Sequence, residues 1–413
     1  MHDVPVHDVI AGCRSCGATD LVPVLDLGMV PLADELVAPG LPAADEHHYP
    51  LTVVFCPRCS LVQIKETVPP NVLFDEDYPY FSSFSDQVLE HSRTHAEGLV
   101  DELGLGEDNL VVELASNDGY LLQWFLKAGV PVLGIDPAPG PAAAAEQRGI
   151  PTIRDFFTPE LAHRMLADGV RADVILGNNV LAHVPDQNRF VAGIATILAP
   201  EGRVEIEVPY VRDMVDNCEF DTIYHEHHCI FSVTALAALF GRHGLDPIRV
   251  RHFPIHGGSL RVTFSAVAEA EPSVEEYLEE ERRIGLTEAA YYAAFSDQVK
   301  QVREDLIDLL SKLTGEGAKI AAYGAAAKGA TLLNYTGAAE YLEYVVDRND
   351  HKHGLHMPGV RLPIYSPERL LDDPPDYLLI LAWNFRDEIM GQQAEYAARG
   401  GRFIVPVPQP TIL

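Results

Sequence analysis

Positive charge is scarce in this sequence: 30 lysines and arginines stand against 61 aspartates and glutamates, for a formal net charge of −31. Nucleic-acid partners need a basic face for their phosphates, so the composition argues against them. An anionic small molecule stays possible, because a few local cations suffice to build a basic pocket. Long apolar runs are missing as well. None approaches the ~20 residues of a membrane span, and residues 1–10 are acidic, with no signal-peptide core. The expected setting is therefore the cytoplasm, away from membranes, where thiols stay reduced. The expected state is a monomer.

Cysteine is sparse, six in all, yet four fall in two pairs, Cys13-Arg-Ser-Cys16 and Cys56-Pro-Arg-Cys59. Two such knuckles in a reducing compartment point to one tetrahedral zinc ion on four thiolates. That leaves no open coordination position and implies a structural role. Redox dithiols or two disulfides are the alternatives. The proline- and acid-rich residues between the pairs read as a loop shaped by the metal.

The glycine fingerprint of dinucleotide-binding proteins is also missing. Residues 110–112 form a short apolar run closed by Glu113. Ala115, Ser116, Asn117, Asp118 and Gly119 then make a small-residue loop, and residues 120–126 read as the start of a helix. A second apolar run, 131–135, ends in Asp136, about twenty residues past the loop, where an acid can accept ribose hydroxyls. Closing backbone on a pyrophosphate needs G-x-G-x-x-G, and only Gly119 is in place. The polar loop suits S-adenosylmethionine, which has no phosphate to cradle, better than NAD. Strand 172–176 runs on into Asn178, Asn179 and His183, at the sheet end where ligands sit. Tyr78, Tyr80, Phe81 and Phe84, with Ser82, read as either a cover for the cofactor pocket or packing between domains.

Residues 220–232 are the richest polar cluster, with Tyr224, His225, Glu226, His227 and His228. The i, i+4 histidine pair of zinc proteases is absent. His225, Glu226 and His227 therefore read as ligands of an ion, as an acid–base group with an orienting carboxylate and a tyrosine hydroxyl, or as structural residues. Residues 255–263 read as a glycine turn into an edge strand, and 272–313 as mostly helical. An α/β rhythm then restarts, with strand 319–323, the loop 324–329 and helix 330–335. Strands follow at 344–346, 377–381 and 403–405. Lys328 in a loop at a helix N-terminus makes either a diphosphate site or a plain turn.

In this order the segments resemble the zinc-containing sugar C-methyltransferases that act on nucleotide-linked 4-keto-6-deoxyhexoses in antibiotic biosynthesis. The resemblance covers nearly the whole chain. It rests on the two knuckles, on Tyr78-Pro-Tyr-Phe-Ser-Ser, on residues 113–122, on Asn178-Asn-Val-Leu-Ala-His183, on Tyr224-His-Glu-His227, on His256-Gly-Gly-Ser-Leu-Arg261 and on Tyr323-Gly-Ala-Ala-Ala-Lys328. It implies an α/β protein of three parts. These are a zinc-binding module (1–68), a Rossmann-like class I methyltransferase domain (69–268) and a second Rossmann-like domain for the nucleotide sugar (269–413). It also implies S-adenosylmethionine on Tyr78, Ser82, Glu113, Ala115, Ser116, Asn117, Gly119, Asp136, Asn178 and Asn179. Substrate would lie on Tyr323, Gly324, Lys328, Asn334 and Arg261, probing a dTDP-sugar with Lys328 at the diphosphate. His227 is assigned as base, Glu226 as its orienting partner, and Tyr224 or His183 as donor to the enolate oxygen. His228-Cys229-Ile230 departs from the pattern, where related sequences carry a small residue and an aromatic, and this bears on the sugar pocket. The alternatives are an NAD-dependent nucleotide-sugar oxidoreductase, a methyltransferase with a non-sugar substrate, and a non-catalytic zinc-bearing adaptor.

Overall fold

A seven-stranded sheet forms the middle of the molecule. Its spatial order is Asp246–Phe253, Ser259–Ser265, Leu198–Pro209, Ala172–Asn178, Val111–Leu114, Val132–Ile135, Thr152–Ile153. The computed structural model describes residues 7–73 and 81–413. The five strands from Leu198–Pro209 to Thr152–Ile153 pair in parallel, and Ser259–Ser265 runs antiparallel to both neighbours. Parallel strands are covered on both faces, and Val111–Leu114 is accordingly buried along its whole length. The chain steps outward in one direction from Val111–Leu114 and then crosses to Ala172–Asn178 on its other side. This is the switch point where open α/β sheets hold ligands.

One local expectation is corrected here. Ser259–Ser265 is not an edge strand: it inserts between Leu198–Pro209 and Asp246–Phe253, which takes the edge. Strand Leu198–Pro209 is continuous but carries a break in register between Leu198 and Arg203. A helix spans Asp86–Leu103. Ser85 Oγ accepts the Val88 N–H at its start, and Gly104 closes it with a left-handed φ of 62°.

The N-terminal module is more than a metal-shaped loop. The residues between the cysteine pairs form the strands Val22–Val30 and Tyr49–Phe55, which join Val62–Ile64 in an antiparallel sheet. The fourth strand, Cys229–Ile230, comes from the middle domain, directly after the histidine cluster. A six-stranded sheet, ordered Ile364–Tyr365, Val345–Val346, Ile320–Tyr323, Tyr377–Ile380, Arg402–Val405, Thr411–Ile412, builds the C-terminal domain. Only its last pairing is antiparallel. Helix Pro272–Arg283 ties this part to the middle. Buried Glu281 accepts the Val233 and Thr234 N–H groups at 2.7 and 2.9 Å and the Tyr210 hydroxyl at 3.0 Å. Among the described residues no helix is long and apolar enough to cross a membrane.

Candidate active site

The loop after Val111–Leu114 is built from left-handed residues, with φ of 54° at Ala115, 49° at Asn117 and 75° at Gly119. A side chain at Gly119 would collide with Ile150 Cδ1, so glycine is required there. Asp136 braces the loop. Its Oδ2 accepts the Asn117 N–H at 2.8 Å and its Oδ1 the Ala138 N–H at 2.9 Å. Each oxygen keeps acceptor capacity for a ribose hydroxyl. Burial raises the Asp136 pKa against the pull of those two N–H groups. Glu113 is raised further, by burial and then by the charges of Asp136 and Asp118. Asn178 ends the neighbouring strand, and Asn179 follows with φ 54° and its N–H on the Glu207 carbonyl at 2.7 Å. Among the described residues Asp118 Oδ1 and Asn178 Oδ1 are buried without hydrogen-bond partners, which fits acceptors kept for the donors of a ligand. Ser116 Oγ, close to Gly134, is likewise buried without a hydrogen-bond partner among the described residues.

A strap crosses this loop. The Ser82 N–H donates to Asn117 Oδ1 at 2.9 Å, so Ser82 engages through its backbone. Asp118 takes the Ser83 hydroxyl and a 3.0 Å ion pair from Arg148, which also reaches Ser83 Oγ at 3.1 Å. Asp118, Ser83 and Arg148 were not singled out above. No local pattern links positions 83, 118 and 148. Tyr78 lies outside the described residues.

The second half of the site is the turn Phe220–Thr222 and the residues after it. His227 Nδ1 donates to the Thr222 carbonyl at 2.7 Å, because a carbonyl can only accept. Nε2 is then an acceptor, and the Tyr224 hydroxyl donates to it at 3.0 Å. The His183 ring stands edge-on to His227, centroids 4.8 Å apart. Burial, then His183, push the His227 pKa well below the ordinary histidine value, and Lys328 and His228 add to this against the opposing Thr222 carbonyl. His183 falls to about 4, chiefly through burial. These imidazoles are therefore neutral at pH 7.

Glu226 does not orient His227. The Thr222 carbonyl has that place, and the buried Glu226 carboxyl faces Asp34, with its pKa raised by burial and by the Asp34 charge. The ion-binding arrangement is not formed either. His225 Nε2 is spent on the Pro50 carbonyl at 3.0 Å, and His227 Nδ1 on Thr222.

Three substrate-side expectations also change. Lys328 is half-buried beside the histidine cluster, its Nζ 3.2 Å from the His256 carbonyl and 4.4 Å above the Trp383 ring. Glu219 and Asp221 supply its counter-charge. Asn334 spends both amide protons on the Ala330 and Pro358 carbonyls, at 2.8 and 3.0 Å. Buried Arg261 is held by Glu207 through two contacts of 2.9 and 2.6 Å and meets His91 Nε2 at 2.8 Å. Tyr323 is buried, its hydroxyl 3.4 Å from Gln392 Oε1, and Gly324 carries φ 103° beside Ala382. An acid not named above braces the loop after Tyr323. Asp347 follows strand Val345–Val346 and accepts the Ala325 N–H at 2.7 Å, as Asp136 does for Asn117.

The four cysteine sulfurs all lie within 4.8 Å of one another, with Cys13–Cys59 and Cys16–Cys56 each at 3.5 Å. Thiolates tetrahedral about zinc sit about 3.8 Å apart, so the cluster fits the ion. The two knuckles are built alike. Cys13 N–H bonds the Ala18 carbonyl at 2.8 Å, Cys56 N–H the Leu61 carbonyl at 2.9 Å, and residues Gly17 and Ser60 turn left-handed.

Comparisons with known proteins follow the same three parts. Family models match for a putative zinc binding domain over residues 13–74, a methyltransferase domain over 88–250 and a C-methyltransferase C-terminal domain over 254–408. The chain is 38% identical over 406 residues to the C-methyltransferase NovU of Streptomyces niveus, covering 97% of this chain and 96% of that protein. A ubiquinone biosynthesis O-methyltransferase of Methylobacterium sp. (strain 4-46) is 29% identical over 96 residues, 22% of this chain and 37% of that one. The solved magnesium protoporphyrin IX methyltransferase of Synechocystis PCC 6803 with bound S-adenosylmethionine gives a TM-score of 0.34 at 15% identity, over 43% of this chain and 78% of that chain. With the four-cysteine cluster and the crevice on Asp136, the near-full-length match settles the enzyme class in favour of methyl transfer over hydride transfer: this chain belongs to the zinc-binding, S-adenosylmethionine-dependent C-methyltransferases.

Proposed function

We propose that the enzyme methylates a carbon beside the ketone of a nucleotide-linked 4-keto-6-deoxyhexose, a dTDP-sugar, in deoxysugar formation for antibiotic biosynthesis. The observation that carries this reading is His227, a half-buried neutral imidazole with its only proton on Nδ1 and its Nε2 beside a tyrosine hydroxyl. Carbon alkylation next to a ketone needs that pair, a base for a weakly acidic C–H and a donor for the oxygen that becomes negative. As the ketone enters, the Tyr224 hydroxyl turns from Nε2 to the carbonyl oxygen and uncovers the lone pair. Nε2 takes the proton, the C–H electrons move into the enolate, and Tyr224 holds the oxyanion. The bound cofactor supplies an electrophilic methyl group. His183 borders the ring, and partial burial keeps both histidines neutral until the proton arrives.

Nucleotide recognition is assigned to the loop 324–327 with Asp347, because an acid receiving a loop N–H at the end of the second strand repeats the Asp136 arrangement. Such an acid suits a ribose hydroxyl. Incubation with methyl-labelled cofactor and a panel of 4-ketohexose nucleotides tests the reading. Label should enter the nucleotide sugar and stay out of the same sugar without its nucleotide, and no transfer to any 4-keto sugar would defeat it. Asp136→Ala should weaken cofactor binding by about 1–3 kcal/mol, the cost of unpaired polar groups. Calorimetry showing unchanged affinity would remove Asp136 from the cofactor site.

A further inference from the structure

The turn that orients His227 is held from the other domain. Phe220–Thr222 presents the Thr222 carbonyl to Nδ1, and its middle residue, Asp221, is fully buried. Asp221 Oδ2 accepts the indole N–H of Trp383 at 2.7 Å. Trp383 opens the turn Trp383–Phe385 that leaves strand Tyr377–Ile380, and its neighbour Ala382 packs on Gly324. Lys328, in the first turn of helix Ala327–Thr336, lies 4.4 Å over the same indole ring with Asp221 and Glu219 as its counter-charges. Two C-terminal segments, the turn Trp383–Phe385 and the helix start at Lys328 that follows the loop assigned to the nucleotide, therefore end on the turn that holds the base.

We propose that Trp383 is a positioning residue, setting the tautomer of His227 from the C-terminal domain through Asp221 and the Thr222 carbonyl. The inference rests on the reading of His227 as the base. A buried carboxylate is held firmly when its donors are fixed, and charge-assisted bonds are the strong ones. With the indole N–H removed, Asp221 keeps the Lys328 charge and its own backbone N–H but loses its tie to the C-terminal domain's indole, and the turn loses the restraint that aims Thr222. The Nε2–H tautomer then competes, and in that form Nε2 has no lone pair for the substrate proton. The other groups facing His227 are Tyr224, His183, His228 and Lys328, and none of them accepts the Nδ1 proton in place of Thr222.

The test is nitrogen NMR of full-length, zinc-loaded protein with labelled histidine, His227 being identified by its loss in His227→Asn. Wild type should show one Nδ1–H tautomer. Trp383→Phe keeps the ring and removes the N–H. It should show both tautomers, a kcat lower by roughly tenfold and an unchanged Kd for S-adenosylmethionine. A wild-type tautomer pattern with wild-type kcat in this variant overturns the proposal. Should Trp383→Phe fail to fold, Asp221→Asn carries the same readings, since a neutral amide accepts from the indole more weakly. A mixed tautomer with reduced kcat supports the relay, and wild-type values for both overturn it. The tautomer is read without turnover. Wild-type protein inactive on every 4-keto sugar would therefore defeat the substrate reading separately from the relay.

Discussion

Replacing His227 by asparagine is expected to lower turnover by about 10²–10⁴-fold, the usual worth of a general base. Asparagine keeps an N–H that can reach the Thr222 carbonyl, so the turn and the packing beside Tyr224 survive while the Nε2 lone pair is lost. Binding of cofactor and sugar should persist, because the lone pair acts in the transition state. The same variant should stop exchange of the substrate's α-hydrogen with deuterated water, if wild type catalyses it without cofactor. The pH profile follows from the depressed pKa of His227. The base form is present above that pKa, so the acid limb of kcat should lie below the ordinary histidine value near 6.5 and fall only as pH drops through it. Near-normal turnover in His227→Asn would move the base to His183 or His225.

The parts legible in the sequence are those whose partners lie close along the chain or whose chemistry is unambiguous. The loop 115–119 and Asp136 belong to one βαβ unit, and two cysteine pairs have few uses other than metal. The misreadings share a different property. Lys328 carries the look of an anion site, but its charge is answered by Glu219 and Asp221, more than a hundred residues earlier. Arg261 has the same history with Glu207, set opposite it by the register of two strands. Glu226 sits next to His227 in sequence, yet both belong to a tight turn closed by the His227 N–H on the Tyr224 carbonyl at 2.9 Å, which leaves Glu226 facing Asp34 and the His227 ring on the Thr222 carbonyl. Asp347 was readable in principle, as an acid after the second strand of the second α/β unit, where the shortness of Val345–Val346 hides the motif.

Loss of zinc is expected to abolish methyl transfer, although the ion lies in another module from the base. The knuckle residues between the first cysteines are sewn to the loop that carries His183. Arg14 reaches the Pro185 carbonyl at 3.4 Å, and Asn188 Nδ2 donates to the Ser15 carbonyl at 2.8 Å. Arg14 also binds the Ile64 and Glu66 carbonyls at 3.2 and 2.8 Å, which fixes the strand that receives Cys229–Ile230. The Ile64 N–H then holds the His228 carbonyl at 3.0 Å, one residue from the base. A four-thiolate zinc contributes on the order of 10–16 kcal/mol in small zinc modules, so its removal leaves this sheet without its organising bond. Cys56→Ser should therefore sharply reduce soluble yield, and turnover in the remainder should track its zinc content. Cofactor affinity should fall much less, because the crevice on Asp136 is braced within the middle domain by Asn117 and Ala138. Zinc analysis, cofactor calorimetry and turnover on the same samples distinguish the outcomes. A zinc-free protein with full turnover would show that the module does not hold the catalytic loops, whereas parallel loss of cofactor binding and turnover would mark general unfolding instead.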